Sequence, residues 1–296
     1  MKPRKVAYYP GCSLHSTARE FDISTRAVCR ELGMELEEVP DWNCCGASSA
    51  HSINQKLGIL LPARNLKLIN QQGLDDVIIP CAACFARTKE CAFEMDHKPD
   101  LKSMVEQELD FTFEKKIRIY HLMELLAKEV GIDEIKQHVK YRLKGLKTVC
   151  YYGCLLVRPN SVTELDDNEN PQFLDNLMSA IGIDSLDWPY KNECCGASLS
   201  LSRPGLVSEL VNTMIRWARE AEAQAIVTAC PLCQANLEMR QTEKQELPVF
   251  YFTELLGLAF GLPEIGETIT RHMIDTGNLI QTLVESAGLP ADIRKV

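Results

Sequence analysis

Thirteen cysteines in 296 residues are many for a chain of ordinary globular composition, and ten of them fall into two ordered sets of five. In the first, Gly11-Cys12 is followed by Cys44-Cys45-Gly46 and then by the C-x-x-C pair Cys81 and Cys84. In the second, Gly153-Cys154 is followed by Cys194-Cys195-Gly196 and by Cys230 and Cys233. The gaps are 31 and 35 residues in the first set and 39 and 34 in the second. One C-x-x-C is weak evidence of chemistry, whereas five cysteines repeated in the same order are strong evidence of a binding centre. The total is odd, and cytoplasmic thiols stay reduced, so metal or redox chemistry is expected rather than a disulfide framework.

Zinc is satisfied by four ligands in a tetrahedron, which leaves a fifth cysteine surplus and an adjacent pair crowded on one small ion. A cubane 4Fe-4S centre takes four cysteines, commonly in the run C-x2-C-x2-C-x3-C-P, which occurs nowhere here. Five ligands with an adjacent pair suit a more open iron-sulfur cluster, in which one thiolate can bridge two irons. A thioredoxin-like dithiol accounts for each C-x-x-C but leaves Cys12, Cys44, Cys45 and their repeats unexplained.

The elements that must position these thiols also repeat. Tyr8-Tyr9-Pro10-Gly11-Cys12 is answered by Tyr151-Tyr152-Gly153-Cys154, with Ala7 set against Cys150, and Glu124-Leu125-Leu126 is answered by Glu254-Leu255-Leu256. Extra sequence in the first half, Glu90 to Phe111, reads as an added helix and loop. Short apolar runs alternate with amphipathic segments, the pattern of parallel strands with crossover helices. Strands are expected over 5–9, 36–40, 77–79, 117–120, 147–151, 226–228 and 248–252. Helices are expected over 17–32, 54–72, from Cys84, 122–130, 172–181, 205–223, 232–240 and from Thr253. The fold class is therefore α/β, with two duplicated parallel-sheet domains over 1–135 and 136–296 related by a pseudo-two-fold axis. Residues 265–296 read as a helical tail without a chemical motif. Each cysteine block follows the carboxyl end of a strand, where open α/β sheets bind ligands.

This pattern of C, a long gap, C-C-G, a second long gap and C-x-x-C resembles the cysteine-rich CCG domain of the heterodisulfide reductase B subunit family, over residues 5 to 260. The surroundings of Cys12, Pro10-Gly11-Cys12-Ser13-Leu14-His15, look closer to heterodisulfide reductase-like proteins of bacteria and other archaea. The resemblance implies two non-cubane 4Fe-4S clusters, one on Cys12, Cys44, Cys45, Cys81 and Cys84, the other on Cys154, Cys194, Cys195, Cys230 and Cys233. It implies an oxidoreductase that reduces or forms a low-molecular-weight disulfide between the clusters. The partners it implies are a ferredoxin-like iron-sulfur subunit of the C type and a flavin-containing subunit of the A type. Relatives in succinate-, glycolate- and lactate-oxidising complexes supply the alternative of an electron-transfer subunit that wires a flavoprotein or dehydrogenase to a quinone.

Other residues carry weaker signals. His15 is the candidate proton donor to a departing thiolate, and His51 reads as a capping or surface residue. Arg87, Lys89, Arg158 and Arg203 are candidates for an anion-binding pocket. Tyr9 and Tyr152 either line the crevice or fill the core. Cys29, Cys91 and Cys150 read as packing. A net charge of -9 and a sequence pI near 5.3 disfavour nucleic-acid binding. No run of apolar residues is long enough for membrane insertion, no signal peptide is apparent, and a cytoplasmic location is expected. No G-x-G-x-x-G follows a strand, so electrons must come through a partner.

Overall fold

The computed structural model describes residues 4–47, 50–242 and 246–289. Two four-stranded parallel sheets form, one in each half. The first contains β1 (Arg4–Tyr8), β2 (Met34–Glu38), β3 (Asp76–Ile78) and β4 (Arg118–Tyr120), in the order β2-β1-β3-β4. The second contains β5 (Lys147–Tyr151), β6 (Asp184–Leu186), β7 (Ala225–Thr228) and β8 (Val249–Tyr251), in the order β6-β5-β7-β8. Both are the same doubly wound unit, and the chain is a duplicated α/β protein.

Strand composition follows position in the sheet. Central strands of a parallel sheet are covered on both faces and become apolar throughout. Val77 and Ile78 in β3 and all four residues of β7 are accordingly buried. The edge strand β2 reads Met-Glu-Leu-Glu-Glu, and its acidic side chains meet Lys5 and Arg26 at the surface. Charge on an edge discourages pairing with another chain.

The halves interlock reciprocally. The helix Arg19–Glu31, which follows β1, packs on the helix Phe252–Phe260, which follows β8. The helix Phe173–Ala180, which follows β5, packs on the helical segments between Leu122 and His138, which follow β4. At the first contact Phe21 stacks on Tyr251 with centroids 4.3 Å apart, and Ser24 Oγ lies 2.7 Å from Thr253 Oγ1 in a buried pair. This exchange of equivalent helices is what a pseudo-two-fold axis requires.

Three local expectations change. The helices at the C-x-x-C pairs begin earlier than expected, at Ala82 and Pro231, with Cys81 and Cys230 as their N-cap residues. The expected helix 122–130 changes winding, from an α-turn at Leu122–Glu124 to a π-helical stretch over Leu125–Gly131 and back to α-helix over Ile132–His138. The tyrosine doublets are offset by one residue. Tyr8 pairs with Ile78 and Cys150 with Val227, and both partners stand three residues before the first cysteine of their C-x-x-C pair. Cys150 is therefore the counterpart of Tyr8 rather than of Ala7, and Tyr151 is the counterpart of Tyr9. Pro10 takes the place of Tyr152.

Candidate metal centres

Each thiol set is gathered by three turns at the carboxyl end of its sheet. The first turn is Gly11-Cys12 after β1, where Gly11 has φ +74 and a Cβ there would lie 2.7 Å from Cys84 Sγ. Only glycine fits both the conformation and the space. The second turn carries Cys44 and Cys45, and Gly46 N–H donates to Cys44 Sγ at 3.4 Å. The third is the helix start that holds Cys81 and Cys84, where free backbone N–H groups and the positive end of the helix dipole favour thiolate.

The second half repeats this arrangement. Gly153 has φ +69, and a Cβ there would lie 3.2 Å from Cys233 Sγ. Gly196 N–H donates to Cys194 Sγ at 3.3 Å. Cys195 Sγ is 3.7 Å from Cys233 Sγ. Cys12, Cys44 and Cys194 are exposed and Cys154 is half-buried, while Cys45, Cys81, Cys84, Cys195, Cys230 and Cys233 are buried. Each set thus opens to one side and is closed behind.

Thiols this close share protons. Donation from Cys44 and then Cys84 pulls Cys45 down to about 3 against its burial, while Cys44 and Cys84 are pushed up as the donors. In the second set, donation from Cys154 pulls Cys194 down to about 6, and Cys195 falls through its bond from Cys233. Cys154 and Cys233 rise correspondingly. Both sets therefore contain ready thiolate, the form that binds metal. Soft all-sulfur donors suit iron-sulfur clusters or zinc. Among the described residues, no three or more His, Cys, Asp or Glu side chains converge in the arrangement required by a single metal ion.

The glycines give a graded prediction. Gly11→Ala should lose most of the metal of the first set, because a methyl group 2.7 Å from Cys84 Sγ displaces that sulfur. Gly153→Ala, with its contact at 3.2 Å, should lose less. Metal content of the two purified variants checks this order. Equal retention in both would remove the glycines from the argument.

Two tryptophans missed at the sequence level help to frame the thiols. Tyr9 Oη donates to Asn43 O at 2.8 Å and its ring meets Trp42 edge-on at 5.6 Å. Tyr151 Oη donates to Glu193 O at 2.7 Å and its ring meets Trp188 at 6.2 Å. The carbonyl bonded in each case belongs to the residue before the cysteine pair. An Asp-Trp dipeptide precedes each pair, Asp41-Trp42 and Asp187-Trp188, and was the available signal. Tyr152, by contrast, donates to Asp175 Oδ2 at 2.7 Å, so it serves the core and Tyr151 takes the role expected of it.

His121 is a third residue that the sequence did not single out. Fully buried, it donates from Nε2 to Pro80 O at 2.7 Å and accepts at Nδ1 from Met123 N–H. Burial holds it down to about 4, against the opposing pull of the Pro80 and Ala229 carbonyls. Pro80 and Ala229 immediately precede Cys81 and Cys230, so this imidazole touches the backbone of both thiol turns.

The weaker candidates divide. His15 is nearly half exposed, with Nε2 2.9 Å from Glu38 Oε1 and its ring against Trp42 at 5.0 Å. Among the described residues, no hydrogen bond joins it to a cysteine. His51 is the exposed second residue of the short helix Ala50–Ile53. Arg87 pairs with Glu90 along its helix, and Arg203 is exposed. Lys89 reaches across the halves to Thr163 O at 2.9 Å, and the charge of Arg158 acts on Cys194. Of the expected basic pocket, Arg158 stands near a thiol site, while Lys89 bridges the two halves. Burial raises Cys29 and Cys91 to about 12 and pushes Cys150 well up, so these three are inert packing thiols.

Elements that bear the two thiol sets also touch across the halves. The turn Gly11–Leu14, which bears Cys12, packs against the helix Pro231–Met239, which bears Cys233. The turn Cys154–Val157 packs against the helix Ala82–His97, which bears Cys84.

Comparison with known proteins agrees with this duplication. The model of the cysteine-rich CCG domain matches twice, over residues 6–88 and 148–238. The chain is 29% identical to the 8-methylmenaquinol:fumarate reductase membrane anchor subunit of Wolinella succinogenes, over 93% of this chain and 99% of that protein. It is 27% identical to the B subunit of the ferredoxin/F(420)H(2)-dependent CoB-CoM heterodisulfide reductase of Methanosarcina acetivorans, over 96% and 99%. A protein of Archaeoglobus profundus named as like the heterodisulfide reductase B subunit is 26% identical over 87% and 91%. Among solved structures, a hypothetical protein from Helicobacter pylori shares the fold, with a TM-score of 0.67 and 11% identity over 91% of this chain, which spans about half (52%) of that one. No helix among the described residues is long and apolar enough to cross a membrane. With one copy of the domain building each thiol site, the chain belongs to the cysteine-rich CCG domain family.

Proposed function

We propose that this chain is the catalytic iron-sulfur subunit of an oxidoreductase complex and reduces, or in reverse forms, a low-molecular-weight disulfide. Its halves, 1–135 and 136–296, would each hold one non-cubane 4Fe-4S cluster, on Cys12, Cys44, Cys45, Cys81 and Cys84 and on Cys154, Cys194, Cys195, Cys230 and Cys233. The observation that supports the reading is the reciprocal packing of the cysteine-bearing elements across the two halves. A disulfide has two sulfurs and needs two electrons, so paired equivalent sites match it. The clusters would supply single electrons and sulfur affinity.

The chain's own groups do the rest. Arg158, whose charge acts on Cys194, would hold an anionic substrate beside the second thiol set. His15 lies one turn beyond Cys12, with Nε2 2.9 Å from Glu38 Oε1, and would return a proton to a departing thiolate. Partner subunits, one ferredoxin-like of the C type and one flavin-containing of the A type, would deliver electrons in the cytoplasm.

The test uses the anaerobically purified chain with a chemical one-electron donor and a panel of small disulfides, with thiol release counted. Two thiols per disulfide consumed are expected with at least one substrate, and NADH alone should give no turnover. Reduction of quinone analogues without thiol release from any disulfide would favour the electron-transfer reading.

A further inference from the structure

His121 directly follows β4, and the sheet register makes Tyr251 its counterpart at the end of β8. Ile78 pairs with Tyr120, and Val227, which takes the place of Ile78 in the second half, pairs with Phe250. The two positions do different work. Tyr251 stacks on Phe21, whereas His121 makes a polar link between the halves. Its imidazole is fully buried, and Nδ1 accepts from the backbone N–H of Met123 at 3.2 Å, so the proton of the neutral ring is on Nε2. That N–H donates to the Pro80 carbonyl at 2.7 Å, and the Ala229 carbonyl is its second partner. Phe85, the residue after Cys84, meets the imidazole in a T-shaped contact at 5.6 Å. Pro80 and Ala229 hold the same place in the two repeats, immediately before the first cysteine of each C-x-x-C pair. One N–H shared by equivalent carbonyls of both halves sets the imidazole at the pseudo-two-fold axis.

A buried carbonyl is costly to leave without a donor, so this N–H ties two chain segments to one point. Those segments lead straight into the N-cap residues Cys81 and Cys230 and the helix starts that carry Cys84 and Cys233. The same helices are the ones that pack on the first-cysteine turns of the opposite half. We propose that His121 is a positioning residue shared by both metal sites, which fixes the two C-x-x-C turns relative to one another and makes the ligand geometry of each site depend on the other half. The inference rests on the cluster assignment of the proposed function and not on the disulfide reaction. Groups that orient the ligands, and hydrogen bonds to their sulfurs, tune a metal centre. With the link removed each turn samples several positions, so a change to a first-half side chain is felt by the second-half centre.

The experiment reads the second-half cluster by itself, in the Cys45→Ser chain, by potentiometric titration followed with electron paramagnetic resonance. Iron analysis of that chain comes first, so a failure of the cluster assignment shows before His121 is altered. Three substitutions are then added singly. His121→Asn keeps an acceptor at the place of Nδ1 and loses the reach of Nε2, His121→Phe keeps the ring and loses both nitrogens, and His121→Gln loses the acceptor but keeps an N–H at the reach of Nε2. In His121→Asn and His121→Phe the midpoint potential of the second-half cluster is expected to shift and its signal to broaden, while His121→Gln returns both most of the way to the parent values. Thr88→Val, which removes a buried hydroxyl bonded to Cys84 O at 2.8 Å within the first-half helix, should leave the second-half cluster unchanged. An unchanged second-half cluster in His121→Asn or His121→Phe would overturn the proposal, and so would equal changes in His121→Gln or in Thr88→Val. Failure of both donor-free variants to fold, with His121→Gln folded, would show a general folding role and would also overturn it.

Discussion

Serine at Cys45 is expected to remove about half of the iron from the chain and leave the second-half site loaded, and serine at Cys195 to do the converse. Two independent sets of five thiols should carry about eight irons and about eight labile sulfides in all, as two four-iron clusters. Cys45 is the thiolate bonded by both Cys44 and Cys84, so its loss breaks the centre of the first set. Cys195, 3.7 Å from Cys233, has the same position in the second. Iron and sulfide analysis with electron paramagnetic resonance of each variant checks the result. Cys29→Ala should leave the iron unchanged, because that thiol is buried on the helix Arg19–Glu31. Equal iron loss from both sites in either serine variant, or zinc in place of iron, would contradict the assignment.

Replacing His272 should be the most destabilising single change away from the cysteines. Its imidazole is buried between Glu238 Oε1 at 2.9 Å and Glu254 Oε2 at 3.0 Å, and both carboxylates are fully buried. Glu254 also accepts from the backbone N–H of Tyr251 at the start of the helix Phe252–Phe260. Burial works against the charge on His272, but the two carboxylates outweigh it and push its pKa up to about 10. His272→Ala would leave two buried carboxylates without a cation, at a cost of about 3–5 kcal/mol. Adding Glu238→Gln and Glu254→Gln should recover much of it, since neutral amides need no counter-charge.

The pH dependence follows from the raised pKa. Between the unfolded value of about 6.5 and the folded value, the native state holds a proton that the unfolded chain has released. The contribution of His272 is therefore complete below about pH 6.5 and is lost as the pH rises through about 10. Denaturant titrations at pH 6 and at pH 10 should show a gap between native protein and variant that narrows at the higher pH. A constant gap would mean that the imidazole acts only by packing.

Residues in this cluster show where sequence reading stops. Its members come from the helix after β7, the helix after β8 and the tail, which carried no motif, and nothing in their spacing announces a meeting. The ten cysteines were legible for the opposite reason: each block stands at a strand end, and topology alone brings strand ends together. Central strands β1, β3, β5 and β7 were legible because double burial demands an apolar run. The three-residue edge strand β6, Asp-Ser-Leu, has no such pattern and was missed.

The C-x-x-C helices began earlier than expected because the first cysteine, in extended conformation, serves as the N-cap residue. The tyrosine doublets misled because matching letters were aligned, whereas the sheet register aligns backbone positions. His121 was invisible because its significance lies in two carbonyls from separate halves.

The account's central claim is that both thiol sites act on one substrate. Its most direct test is disulfide turnover by the Cys45→Ser and Cys195→Ser chains, each confirmed to retain the other site's metal. If the disulfide is cleaved between the two sites, each variant should lose essentially all thiol release while its remaining cluster still accepts electrons from the chemical donor. Turnover at a substantial fraction of the native rate in either variant would contradict the account and leave the two sites as independent electron carriers.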